Sequence, residues 1–204
     1  MAVGRFVVAA AGVLVAIAQL VQASPALASD STAAPVIGQR DQSWASLPLG
    51  TSMTETIGSS GCVISSVAML LGSYGVKLDP AQVNSWLTAN AGYVGDDNFL
   101  WGEVAPLSGG RVSFDGWYGA DLEIVNSELI FGKPVIAEVS LNGNQHFLLL
   151  TGFSANGYWM NDPWFGDHAN FSDRYGDPST GIISIRTFSP VGALDRTPSR
   201  RALS

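Results

Sequence analysis

The sequence predicts an α+β fold, with N-terminal helices packed on a C-terminal antiparallel sheet. The first half of the globular part carries apolar residues at helical spacing, punctuated by cap and stop signals. The second half carries short apolar runs separated by turn signals. A 204-residue chain that is 47% hydrophobic has enough apolar side chain for one core and is too apolar for a disordered protein.

The elements follow in order. Residues 62–73 (CVISSVAMLLGS) form a dense apolar run after TIGSSG; Ser59 or Ser60 could cap it and Gly75 could end it. Asp79-Pro80 is a cap followed by a first-turn proline, and the helix it opens sets Val83, Trp86 and Leu87 at helical spacing. A shorter helix is expected over 98–105. Another is expected over 120–131, with Leu122, Val125, Leu129 and Ile130 on its apolar face and Gly132 at its end. Strands are expected over 134–141, 145–153, 158–161 and 181–188, with Asn156-Gly157 as the turn between the second and third.

The two ends read differently. Residues 1–28 have the make-up of a secretory signal peptide: Arg5, an apolar run over 6–20, and Ala26-Leu27-Ala28 as the cleavage site. The run is shorter than a bilayer span requires, so cleavage after Ala28 and a secreted product with no remaining span are expected. Residues 29–37 read as a flexible leader and 189–204 as a flexible tail, which leaves 38–188 as the single domain. A monomer is expected.

Charge and cysteine content exclude several classes. A formal net charge of −7 with no basic run disfavours nucleic acid. One cysteine, Cys62, cannot form an internal disulfide or a multi-cysteine zinc site. Cys62, His146, His168 and Asp162 show no zinc-like ligand spacing, and the acidic stretch Asp162, Asp167, Asp173, Asp177 lacks the EF-hand pattern. No cofactor or metal is therefore expected, and His168 reads as a loop residue.

An odd cysteine in an exported chain is a candidate reactive thiol. Cys62 starts a helix, where free backbone N–H groups and the helix dipole favour a thiolate. His146 opens an apolar strand, and Asp162 closes the returning one. A two-residue turn at Asn156-Gly157 would set His146 opposite Asp167. A five-residue loop over 152–156 would set it opposite Asp162. In the roles open to them, Cys62 is the nucleophile, His146 its base and Asp162 the group that orients the imidazole. Gln39 and Gln42 are candidate oxyanion donors. The competing readings are a catalytically silent cell-wall or protein-binding module lined by tryptophans such as Trp44, Trp101, Trp117, Trp159 and Trp164, and a peptidoglycan amide hydrolase or transpeptidase.

The segments QRDQSWASLPLG (39–50), TIGSSGCVISSVAMLLGSYG (56–75), HFLLLTGF (146–153) and GYWMNDPWFGD (157–167) resemble the C39-like family of papain-like cysteine peptidases. The resemblance implies a papain-like core, hydrolysis of a peptide or protein substrate (cell-wall peptide among them), and Cys62, His146 and Asp162 as the triad. Narrower members that process bacteriocins keep a glutamine a few residues before the cysteine, where this chain has Thr56. Broader members open with a Q-R-D-x-x-W segment like 39–44, which selects Gln39 over Gln42. These residues include no ATP-binding cassette, so leader cleavage after a double glycine is not expected.

Overall fold

The computed structural model describes residues 34–192, together with Met1. The export signal, the first part of the leader and residues 193–204 of the tail lie outside the described residues. In chain order the elements are α1 (Ile57–Ser60), α2 (Cys62–Ser73), α3 (Pro80–Ala89), β1 (Tyr93–Val94), β2 (Asn98–Phe99), a 3-10 turn (Trp101–Glu103), α4 (Val104–Leu107), β3 (Val112–Gly119), α5 (Leu122–Ile130), β4 (Val135–Leu141), β5 (Asn144–Ser154), β6 (Gly157–Asp162), β7 (Asp167–Asn170), α6 (Ser172–Tyr175), α7 (Pro178–Gly181) and β8 (Ile182–Pro190). Six of the strands form one antiparallel sheet in the order β3-β8-β4-β5-β6-β7.

Both faces of that sheet are covered. Ile136, Phe147, Leu149, Phe188 and Val112 face the helices α2, α3 and α4, against Ile64, Met69, Leu71, Val83 and Val104. Their neighbours Val135, Ala137, Val139, Leu148, Leu150 and Met160 face the other way, against Val125 and Leu129 of α5 and against Phe171. Helix α5, inserted before the main strands, covers the second face. Two-sided cover explains why β5 reads as a continuous apolar run instead of an alternating one. Each fully buried Leu or Ile contributes about 1.5–3 kcal/mol here.

Three local features position the cavity described below. Asp79 and Gln82 cap α3 reciprocally, with Pro80 in the first turn. The side chain of Asn84 accepts from the Gly50 N–H and the Tyr93 hydroxyl and donates to the Pro48 carbonyl, so α3 holds both the 48–50 loop and the β1–β2 hairpin. Gly50 sits at φ +59°, where a Cβ would meet the Asp96 carbonyl oxygen at 2.0 Å, so the hairpin loop lies directly on glycine backbone.

Several expected details differ. Neither Ser59 nor Ser60 caps α2: Ser59 closes a capping box with Thr56 on α1, and Gly61 stands before Cys62. The expected helix over 98–105 is strand β2, a 3-10 turn and the short α4. Strands β3 and β7 carry no clear apolar alternation and were not expected. Residues 34–37, read as part of a flexible leader, lie against the body: Ala34 is buried, and the Asn161 amide donates to the Ala34 and Pro35 carbonyls. At the other end, Ser189 and Pro190 belong to β8, although the sequence assigned them to the tail.

Candidate active site

Cys62 is the first residue of α2, half-buried at the edge of the helix-side core. The short α1 breaks off at Gly61 and the helix restarts at Cys62. A Cβ on Gly61 would meet the Ile57 carbonyl oxygen at 2.4 Å, so only glycine lets the two helices abut and present Cys62 at the break.

His146 and Asp162 come together by a route the sequence did not reveal. The β5–β6 turn is Ala155-Asn156, because Ser154 pairs with Gly157. A one-residue bulge between Leu150 and Gly152 then shifts the ladder, so Leu149 pairs with Asn161. Continued one step, that register places Leu148 opposite Asp162. His146 is therefore a diagonal neighbour of Asp162 on one face, not its direct partner, and neither of the two expected turns occurs. His146 Nε2 and Asp162 Oδ1 lie 2.9 Å apart. Cys62 lines the same cavity as His146 and acts on the charge of its ring.

The Asp162 carboxylate is fully buried and fully engaged. Oδ1 also accepts the Trp164 N–H at 3.0 Å; Oδ2 accepts the Tyr175 hydroxyl at 2.7 Å and Arg174 Nη1 at 3.0 Å. Arg174 is itself held by both oxygens of Asp167, at 2.8 and 3.0 Å. Burial alone would raise the Asp162 pKa, but the bonds from His146, Tyr175 and Arg174 bring it below the usual carboxylate value. Burial likewise pushes the His146 pKa down. The hydrogen bonds to Asp162 and Cys62, with their negative charge, outweigh it and lift the ring to about 9. The same carboxylate, with burial, holds the Tyr175 hydroxyl protonated.

Gln39 is 1% exposed and lies on the same cavity as Cys62 and His146. Its backbone N–H donates to the Pro163 carbonyl at 2.8 Å, which ties the N-terminal segment to the loop that follows Asp162. Its Nε2 donates to the Gly58 carbonyl at 3.2 Å, and that contact fixes which end of the amide is nitrogen. The Oε1 atom is buried with no protein partner. Gln42 is exposed and does not line the cavity.

The cavity has a volume of about 720 Å³. Ser59, Ser60 and Cys62 form one wall, Asp97 to Trp101 of the hairpin region a second, and the β4–β5 turn with Trp117 and Arg186 the rest. Of the tryptophans considered from sequence, Trp101, Trp117 and Trp164 line it. Trp44 instead donates its indole N–H to the Gly38 carbonyl, and Trp159 stacks on His168. His168 belongs to strand β7, not a loop, and its Nδ1 lies 2.7 Å from the Asn161 side-chain oxygen. Among the described residues no group of three or more His, Cys, Asp and Glu is placed to hold a metal ion, and no helix is long and apolar enough to cross a membrane.

Sequence reasoning missed Arg174 and Tyr175. They sit in S-D-R-Y (172–175) on the four-residue α6, and only the turn after β7 brings them to Asp162. It also missed Arg186 and its partner Glu138, which read as ordinary strand residues.

Comparison with known proteins bears on the family. A model of the Peptidase_C39 like family matches residues 33–178. One similar solved structure, from Bacillus anthracis, is described as a C39-like peptidase. It is 14% identical over 62% of this chain and 88% of that chain, with a TM-score of 0.42. A second is a double glycine motif protease from an AMS/PCAT transporter in complex with the leader peptide. It is 22% identical over 72% of this chain and 94% of that one, also with a TM-score of 0.42. No curated protein matches the chain. With the family model spanning most of the chain, and an α+β fold with an antiparallel sheet, the chain belongs to the Peptidase_C39 like family and is a cysteine peptidase.

Proposed function

We propose that the protein is an exported peptidase that cleaves peptide bonds through Cys62, His146 and Asp162, with Gln39 serving the oxyanion. The observation that supports this best is the His146 ring, held by Asp162 on one nitrogen and sharing its cavity with Cys62.

The chemistry follows from that geometry. His146 takes the thiol proton of Cys62 and, with Asp162 behind it, keeps it up to about pH 9. The Cys62 sulfur attacks the carbonyl carbon of the substrate, forming a C–S bond as the carbonyl π electrons move to oxygen. One Gln39 Nε2 hydrogen is committed to Gly58; the other, with the Cys62 backbone N–H at the start of α2, donates to that oxyanion. The C–N bond breaks as His146 protonates the leaving amine. Water, deprotonated by His146, then hydrolyses the thioester and restores the thiol. Asp162 stays ionised throughout and holds the imidazole by its Nε2.

Export is supported by the composition of residues 1–28, and N-terminal sequencing of the exported protein tests it: Ser29 is expected as the first residue. For the catalytic reading, the rate of Cys62 alkylation by iodoacetamide is measured against pH in wild type and in His146→Ala, alongside peptidase activity of Cys62→Ala. A rate lowered by His146→Ala and activity abolished by Cys62→Ala are expected. Equal alkylation in the two proteins, with the profile of an ordinary thiol of pKa about 8.5, would sink the reading.

A further inference from the structure

Arg186 is an unusual residue to find on the wall of the cavity that holds Cys62. It is 1% exposed and sits on β8, between β3 and β4 in the sheet. Aromatic rings lie close about its guanidinium: the centroids of Trp117, Phe147 and Trp101 are 4.0, 4.8 and 5.0 Å from Cζ. Nη1 donates to Glu138 Oε2 at 2.9 Å and is in hydrogen-bond contact with the Ser184 hydroxyl. Glu138 is engaged by other donors as well. Its Oε2 also accepts from Ser184, and its Oε1 accepts from the Gln145 amide at 2.8 Å. The Nε–H of Arg186 is buried and has no protein acceptor.

A buried guanidinium N–H without an acceptor is costly, and Glu138 meets Arg186 through Nη1, not through Nε. An acceptor from outside the chain would relieve that cost. Rings flanking a guanidinium leave its edge as the direction of approach, and that edge favours a planar oxygen pair over a single point charge. Asp97 is the acidic residue among those lining the cavity and opposes an anion on its own side. We propose that the Arg186 wall is a carboxylate-binding subsite of the peptidase. It takes an acidic side chain of the peptide or its free C-terminus, at one fixed position relative to the bond cut at Cys62. This rests on the reading of the cavity as the peptide site, and it adds the class of peptide.

The experiment uses binding, so that it does not depend on turnover. Pools of acetylated, C-terminally amidated hexapeptides, each with one position fixed as Glu or as Gln, are titrated into Cys62→Ala by tryptophan fluorescence. A further arm compares free-acid with amidated C-termini in pools lacking Asp and Glu. The expected result is at least a tenfold preference for carboxylate over amide in one arm only, which identifies the source as a side chain or a terminus. That preference should fall below about threefold in Arg186→Met/Glu138→Gln, which removes the buried charges together, and in the milder Arg186→Lys, which keeps the charge but loses the fork. Equal binding of Glu and Gln pools at every position, with acid equal to amide, overturns the proposal on Cys62→Ala alone, whatever the folding of the variants. A preference that survives Arg186→Lys overturns it as well. The iodoacetamide experiment on wild type reports separately on the thiol, so either reading can fail while the other stands.

Discussion

On the Asp162 side of His146, both oxygens of a buried carboxylate are filled by donors from four residues: His146, Trp164, Arg174 and Tyr175. On the Cys62 side, two buried polar atoms, Gln39 Oε1 and Arg186 Nε, have no protein partner. The first side is complete in the free protein, and the second is complete only with something bound. A saturated network holds its geometry and tolerates the loss of few members; unserved atoms cost stability and mark where another molecule supplies the bonds. Imidazole orientation is thus set by the fold, whereas recognition is left to the cavity wall.

Four variants or conditions test that contrast, taken from the largest effect down. Asp162→Ala leaves Arg174, Tyr175 and His146 facing a hole, so a loss of about 3–5 kcal/mol in urea unfolding is expected. A loss below about 1 kcal/mol would show that the saturated side is not what holds the region together. Gln39→Ala is expected to reduce kcat/KM about 10²–10³-fold while Gln42→Ala leaves it unchanged, since only Gln39 reaches the cavity. Equal effects of the two would remove Gln39 from the oxyanion role. Next comes pH. The folded pKa of His146 is about 9, above its ordinary 6.5. Its contribution, up to about 3 kcal/mol, is therefore fully present below pH 6.5 and lost as pH rises through 9. Melting temperatures followed from pH 6.5 to 10 should fall for wild type and change less for His146→Ala. For Asp162 the sign is opposite: its pKa is lowered, so its contribution is present above the ordinary 3.8 and lost as acid approaches its lower folded value. Tyr175→Phe removes one donor of several and should cost about 1 kcal/mol, with a lower pKa on the alkaline limb of the kcat/KM profile only if Asp162 loosens its hold on the imidazole.

The sequence made some parts of this legible and hid others for physical reasons. Eight of the twelve residues of α2 are apolar and eight of its positions are buried, so its span could be read directly, although Gly61 and not a serine precedes it. Asp79-Pro80 announced α3 because capping is local chemistry, carried by neighbouring residues. Strand β3 lies at the edge of the sheet beside β8, and half of its residues are exposed, so it left no alternation to read. Cys62 and His146 could be chosen by context, and Gln39 by its segment. Arg174, Tyr175 and Arg186 could not, because nothing in S-D-R-Y or I-S-I-R marks a long-range partner. Each acquires its meaning from a contact across a turn or across the sheet.

One extra residue in β5 is taken up as a bulge between the turn and the site. Thr151 is the residue the register steps over, and its hydroxyl donates to the Trp159 carbonyl at 3.3 Å. Leaving it out would still set Gly152 opposite Trp159 and Leu150 opposite Met160, so Leu148 would stay opposite Asp162 and the faces of the hairpin would not change. Keeping it but pairing it into the ladder would set Leu149 opposite Asp162, on the side away from His146. The bulge is thus a place where the hairpin can lose length without exchanging its sides. In a library of single-codon deletions across 145–162, position 151 should stand among the least damaging to activity, and deletions at 147–149, which turn His146 away from Asp162, among the most.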